Sequence, residues 1–188
     1  MTERLVVGIT GASGAILGIE LLRAMQSFPG WETDLVVSDG ARRTIGLETP
    51  CSMKEVAALA TRCHPPGDLG ALIASGTFKT RGMVVVPASM KTVAGIATGY
   101  ADNLLLRAAD VTLKERRRLV LVPRETPLSP IHLRNLLTLS ELGAVILPPV
   151  LTYYNKPAGI EDMTRHIVGR ILDVFDLELP GFRRWGDG

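Results

Sequence analysis

The chain has little of what marks several protein classes. It carries 2 cysteines in 188 residues, Cys51 and Cys63, with no CxxC pair and no histidine at metal-ligand spacing. Neither a disulfide framework nor a zinc centre is expected, and both residues read as plain thiols of a reducing cytoplasm. His64, His132 and His166 are scattered along the chain, and no metal is expected at them. No apolar run approaches the roughly 18 residues that a bilayer span needs. The start, "MTERLVVGIT", lacks the basic, apolar and small-residue pattern of a secretory leader. A formal net charge of +2 is too small to argue for a nucleic-acid partner. The GxSxG nucleophile elbow, the Tyr-x-x-x-Lys pair and the P-loop lysine are missing as well. Catalysis is therefore expected to come from positioning an anionic substrate against a bound cofactor.

What remains is an ordinary globular composition, 46% hydrophobic and 21% charged, in a length that suits one domain. Apolar segments rich in Val, Ile and Leu stand at Leu5–Thr10, Thr33–Ser38, Met83–Pro87 and Leu119–Pro123, with a shorter fifth at Ala144–Leu147. Apolar on both faces, they read as buried parallel strands. Helical spacing joins them over Ala15–Phe28 and Ile160–Leu177. A further helix starts at Ser129 and Pro130 and carries Leu133, Leu136 and Leu137 as its expected buried stripe. The alternation predicts an α/β fold: a three-layer, doubly wound, mostly parallel sheet, flavodoxin- or Rossmann-like, in a single domain over 1–188. Only Cys63–Gly70 and the tail after Pro180 look loose.

The first strand runs into "TGASGAILG", with glycines at 8, 11, 14 and 18. That spacing departs from the dinucleotide fingerprint G-x-G-x-x-G. A nicotinamide reading survives on this stretch alone, with Asp39 as its ribose-binding acid. Ser13 and its neighbouring amides would face an anion at a positive helix N-terminus. "VVVPASMKT" builds a second such turn, with Ser89 as helix cap and Lys91 and Thr92 in the first turn. Both turns belong to the sheet edge where doubly wound folds bind ligands. Arg124 and Glu125 directly follow the fourth apolar segment and point to the same edge. Arg holds phosphate bidentately, and a partly desolvated Glu can move protons. The run Arg116–Arg118 reads as a solvated helix end, and at least one of Tyr153 and Tyr154 should offer its hydroxyl to a surface or pocket.

Five blocks taken together, "GITGASGA", "LVVSDGA", "IASGTFKTRGMVVVPASMKT", "DNLLLRAADVTLKERRRLVLVPRETPLSPIHLRN" and "GAVILPPVLTYYNKP", resemble the flavin prenyltransferases of the UbiX/Pad type. The resemblance runs from about Val6 to Trp185. It implies an enzyme that binds FMN and joins a dimethylallyl group from dimethylallyl phosphate to N5 and C6 of the reduced flavin without a metal. The product, prenylated FMN, would serve a UbiD-type decarboxylase. The alternative is an FMN-binding carrier or accessory subunit of a non-oxidative aromatic acid decarboxylase. The resemblance further implies a cytoplasmic homo-oligomer, a dodecamer, with active sites between subunits and a tail from about residue 178 packed on a neighbour.

Carried over by motif, Gly11, Ala12 and Ser13 are implied flavin contacts, with Ser13 near N5. Ser38, Ser89, Met90, Lys91, Thr92 and Arg124 are implied further FMN contacts. Tyr154 and Arg170 would hold the prenyl phosphate with Lys114 and Arg107. Glu48 and Glu125 are the implied acids for proton transfer, so Ser13, Glu48, Glu125 and Lys114 form the expected catalytic set. The sequence departs from the pattern at Ala88, where many members have Cys. It departs again at Leu69, where some have an aromatic residue, and at Arg118 in place of Pro.

Overall fold

A computed structural model describes residues 2–186. Met1 and residues 187–188, part of the expected 1–188 domain, lie outside the described residues. Strands β1 (Glu3–Ile9), β2 (Trp31–Val37), β3 (Arg62–His64), β4 (Gly82–Ala88), β5 (Arg118–Pro123) and β6 (Val145–Ile146) form one sheet, ordered β3-β2-β1-β4-β5-β6. Every pair in it is parallel. The expected doubly wound sheet is thus present, in the strand order of dinucleotide-binding domains. The chain winds outward from β1 in one direction and from β4 in the other. Its switch point therefore lies between the carboxyl ends of β1 and β4.

Strand alternation divides the core in two. Leu5, Val7 and Ile9 of β1, Val84 and Val86 of β4, and Val120 and Val122 of β5 face one layer. It contains α1 (Ala15–Met25), α2 (Asp39–Glu48), α3 (Met53–Ala58) and α7 (Ile160–Asp173). Val6, Met83, Val85, Leu119 and Leu121 face the other layer. There lie α4 (Met90–Ala97), α5 (Leu104–Lys114) and α6 (Pro130–Glu141). Because residues i and i+2 share a face, runs apolar at every position are what a sheet covered on both sides requires. Gly18 lets α1 close on this sheet: a Cβ there would stand 2.6 Å from the Val86 carbonyl oxygen.

Two expectations need correction. Cys63–Gly70 does not start as a loose loop, because Arg62–His64 pairs with β2 as an edge strand. What holds that edge is polar. The fully buried Asp34 carboxylate accepts from Arg62 Nε at 2.8 Å and lies 2.7 Å from His64 Nε2. In α6 the expected buried stripe is largely outside: Leu133 and Leu137 are 52% and 59% exposed, and Leu139 is the buried residue. Leu136 packs partly against the core.

Candidate functional site

The first turn follows from what ends β1. Gly14 takes a left-handed conformation, φ 104°, and caps α1 without a side chain of its own. The vacant N–H groups are taken up from a distance. Glu48, the last residue of α2, accepts from the Gly14 N–H at 2.8 Å and the Ala15 N–H at 3.2 Å. Burial alone would raise the Glu48 pKa. The Ser13 hydroxyl, these two amides and the charge of Arg124 outweigh that and hold the carboxyl below its ordinary value. Ser13, Gly14, Glu48 and Arg124 are thereby brought together.

Gly11 passes so close to Gly40, at the start of α2, that an added Cβ would meet that backbone at 3.1 Å. A second helix start is therefore drawn up beside the turn. Ser38 caps it, accepting from Ala41 N–H at 3.2 Å. A third start belongs to α4. Ser89 accepts from Thr92 N–H at 3.3 Å, and the two hydroxyls lie 3.0 Å apart. No acidic residue stands in the first turn of α1 or α4. Lys91 is exposed, whereas Met90 packs partly into the core. Arg124 follows β5, with its backbone N–H on the Ala88 carbonyl at 3.3 Å and its side chain exposed. Small residues, the serine-capped starts of α2 and α4 and the exposed Arg124 guanidinium suit an anion with a flat body beside it. A phosphorylated flavin fits these residues. Asp39, the ribose-binding acid of the nicotinamide reading, is 94% exposed and faces Arg42.

Tyr154 and Arg170 belong to a second group, centred on His166. The Tyr154 ring meets His166 edge-on at 5.7 Å and Trp185 at 5.1 Å. Its hydroxyl lies 3.5 Å from His166 Nε2. Burial, then the nearby Arg170, lowers the His166 pKa against the opposing charge of Asp173. A cavity of about 680 Å³ is lined by Tyr154, Asn155, Lys156, Arg183, Arg184 and Trp185. Its cations and rings suit a phosphate with an apolar tail. The larger hollow of about 720 Å³ between α1 and α7 contains none of the expected site residues.

The remaining expected residues are engaged elsewhere within the chain. Arg107 donates to the Ala74 carbonyl at 3.1 Å and to Asp110 at 2.6 Å. Lys114 pairs with Glu115. It ends α5 just before β5 begins, and so lies toward the sheet edge opposite the turns. Glu125 accepts from the Thr126 N–H at 2.9 Å. The tail folds back on its own chain. Phe182 packs on His166, and Arg184 pairs with Asp173.

Several residues escaped the sequence reading. Arg117 is not simply solvated: it donates to the carbonyls of Gly76 at 2.6 Å and Phe78 at 2.8 Å, clamping the loop before β4. Arg118 donates to Asp176 at 2.7 Å. His166 carried no signal, because its partners lie about a dozen residues away in one direction and beyond α7 in the other.

Comparison with known proteins shows the family and the fold. The model of the Flavoprotein family matches residues 1–175. A probable UbiX-like flavin prenyltransferase of Streptomyces sp. (strain D7) is 59% identical over 182 residues, covering 97% of this chain and 91% of the relative. The dodecameric FMN-dependent UbiX-like decarboxylase from Escherichia coli O157:H7 superposes with a TM-score of 0.96 at 56% identity, over 97% of this chain and 98% of that one. AnUbiX (PadA1), crystallised with FMN and dimethylallyl pyrophosphate, gives 0.97 at 51% identity over 100% of both chains. This α/β chain thus belongs to the Flavoprotein family, among its UbiX-like flavin prenyltransferases.

Proposed function

We propose that this chain transfers a dimethylallyl group from dimethylallyl phosphate to N5 and C6 of reduced FMN, and that the prenylated FMN serves a UbiD-type decarboxylase. The observation that carries this reading is the convergence of Ser13, Glu48 and Arg124 beside three capped helix starts at the switch point. When bound, reduced FMN supplies the nucleophile, and the allylic carbon–oxygen bond breaks as phosphate departs.

The protein's part is largely electrostatic. Ser38, Ser89, Lys91, Thr92 and Arg124 hold the flavin phosphate, while Gly11 and Ala12 leave room for the ring. The Ser13 hydroxyl donates to Glu48 and leaves its oxygen to accept from a flavin N–H, and Glu48 accepts and returns protons there. Glu125 serves as a second proton carrier once its turn is covered. Tyr154 and Arg170 hold the prenyl phosphate and stabilise the charge that develops as it leaves. Arg107 and Lys114 reach this phosphate from neighbouring copies in a homo-oligomer, a dodecamer like that of the Escherichia coli O157:H7 relative. The tail beyond residue 178 and the exposed ring of Trp185 contribute to the same contact and exclude water. No helix among the described residues is long and apolar enough to cross a membrane; the cytoplasm is the proposed site of the reaction, and a reducing compartment would keep Cys51 and Cys63 as thiols.

Arg170→Ala separates a transferase from an FMN carrier. The Arg170 side chain is 59% exposed, so its loss should leave folding intact and lower turnover with dimethylallyl phosphate about 100-fold. Unchanged turnover would overturn its assignment. Running the assay with the monophosphate and the pyrophosphate in parallel identifies the leaving group.

A further inference from the structure

Beyond Gly8↔Val85 the ladder between β1 and β4 stops. Pro87, two residues on, has no N–H to continue it. Thr10 takes over at this point. Its N–H and its hydroxyl both donate to the Pro87 carbonyl, at 3.3 and 2.7 Å. The same hydroxyl oxygen accepts from the Ser89 N–H at 2.8 Å. Thr10 is 1% exposed, so water does not substitute for these bonds.

We infer that Thr10 is a positioning residue that locks the β1 turn to the Ser89 turn across the switch point and so sets the grip on the flavin phosphate. One residue after Thr10 the Gly11–Ser13 turn begins, and the amide it holds belongs to the cap of α4. A single buried hydroxyl thereby fixes the spacing of two helix starts on different elements. Ser89 keeps its own hydroxyl for Thr92 because its N–H is already satisfied from behind. Without the Thr10 oxygen, that half-buried N–H must turn toward water for a partner, or the turn rotates to find another in the protein. Either outcome moves the Ser89 and Thr92 donors relative to Ser13. Thr10 acts through Ser89; nothing requires it to touch the ligand.

This inference rests on the reading that the Ser89–Thr92 turn holds the FMN phosphate. Riboflavin, which has the same ring system and no phosphate, tests the two separately. Flavin binding is followed by fluorescence quenching on the full-length assembled protein, with thermal unfolding recorded alongside. Thr10→Val keeps the shape and removes both side-chain bonds. It should weaken FMN binding about tenfold and leave riboflavin binding as in the wild type. Thr10→Ser should restore FMN binding. Equal loss of both flavins, or no loss of FMN, would overturn the positioning role. Wild-type protein that binds riboflavin as tightly as FMN would remove the phosphate reading of the turn, and this role for Thr10 with it. If the valine variant does not fold, Thr10→Cys, a weaker hydrogen-bonding group of similar size, carries the same comparison and the same refuting outcomes.

Discussion

Glu48 does two things that substitution can separate. Its carboxylate closes the N-terminus of α1 through Gly14 and Ala15 N–H, and it holds the Ser13 hydroxyl. Glu48→Ala removes a cap from a helix end that water can reach, which costs about 1 kcal/mol. The side chain is exposed, so the charge–dipole part is screened and adds only a few tenths more, roughly 0.3 kcal/mol. For a chain of this size about 1 kcal/mol lowers Tm by about 2–4 °C. Glu48→Gln keeps an oxygen for the two amides and loses only the charge, so its Tm should stay close to the wild type. An amide cannot accept and return a proton, however, and both variants should lose about 100-fold in kcat. Differential scanning calorimetry and anaerobic turnover read the two effects separately. The pH dependence has a fixed sign. The folded carboxyl titrates below its ordinary value, so Glu48's stabilisation is complete above about pH 4.3 and disappears as pH falls through the lower, folded value. Glu48→Gln turning over at the wild-type rate would refute the proton role. Glu48→Ala with an unchanged Tm would refute the cap.

Other substitutions test the frame around the site. Asp34→Ala leaves Arg62 facing an empty buried position at the β2–β3 edge. Breaking a buried pair costs about 3–5 kcal/mol; Arg62 is 34% exposed, which reduces this to about 2–3 kcal/mol, and a Tm within error of the wild type would contradict the network. Burial would raise the Asp34 pKa, but Arg62 and His64 outweigh it and lower it. The aspartate's contribution is therefore full above about pH 4 and is lost on further acidification. Gly18→Ala drives a Cβ against the Val86 carbonyl and Ile9, and should cost about 1–3 kcal/mol in urea unfolding; an unaltered midpoint would show that α1 can move away freely. Arg117→Ala frees the carbonyls of Gly76 and Phe78, and faster amide exchange confined to residues 75–80 is expected; no change in exchange would remove the clamp.

How much of this was legible depended on whether the signal was local. Val6–Ile9 or Val84–Val86 advertise a two-sided core at every position, and Ser89, Ser129 and Pro130 announce helix starts within a few residues. The β3 strand has no apolar signature, because Arg-Cys-His is held by a carboxylate 28 residues earlier in the chain. Leu133 and Leu137 have core-like spacing, yet α6 covers only the margin of a sheet whose last strand is two residues long. In the site, Ser13 and Arg124 were visible from their places after strands. The distant caps were not: Glu48 reaches across 34 residues to Gly14, and Thr10 across 79 to Ser89. Arg107 and Lys114 came from resemblance alone, and one protomer engages them with Asp110 and Glu115.

The central claim is tested most directly by mass spectrometry of the flavin released after strictly anaerobic incubation of the protein with reduced FMN and dimethylallyl phosphate. FMN heavier by one C5H8 unit is expected, formed without added metal and lost in Arg170→Ala. Bound FMN of unchanged mass under those conditions would contradict the claim and leave a flavin carrier in its place.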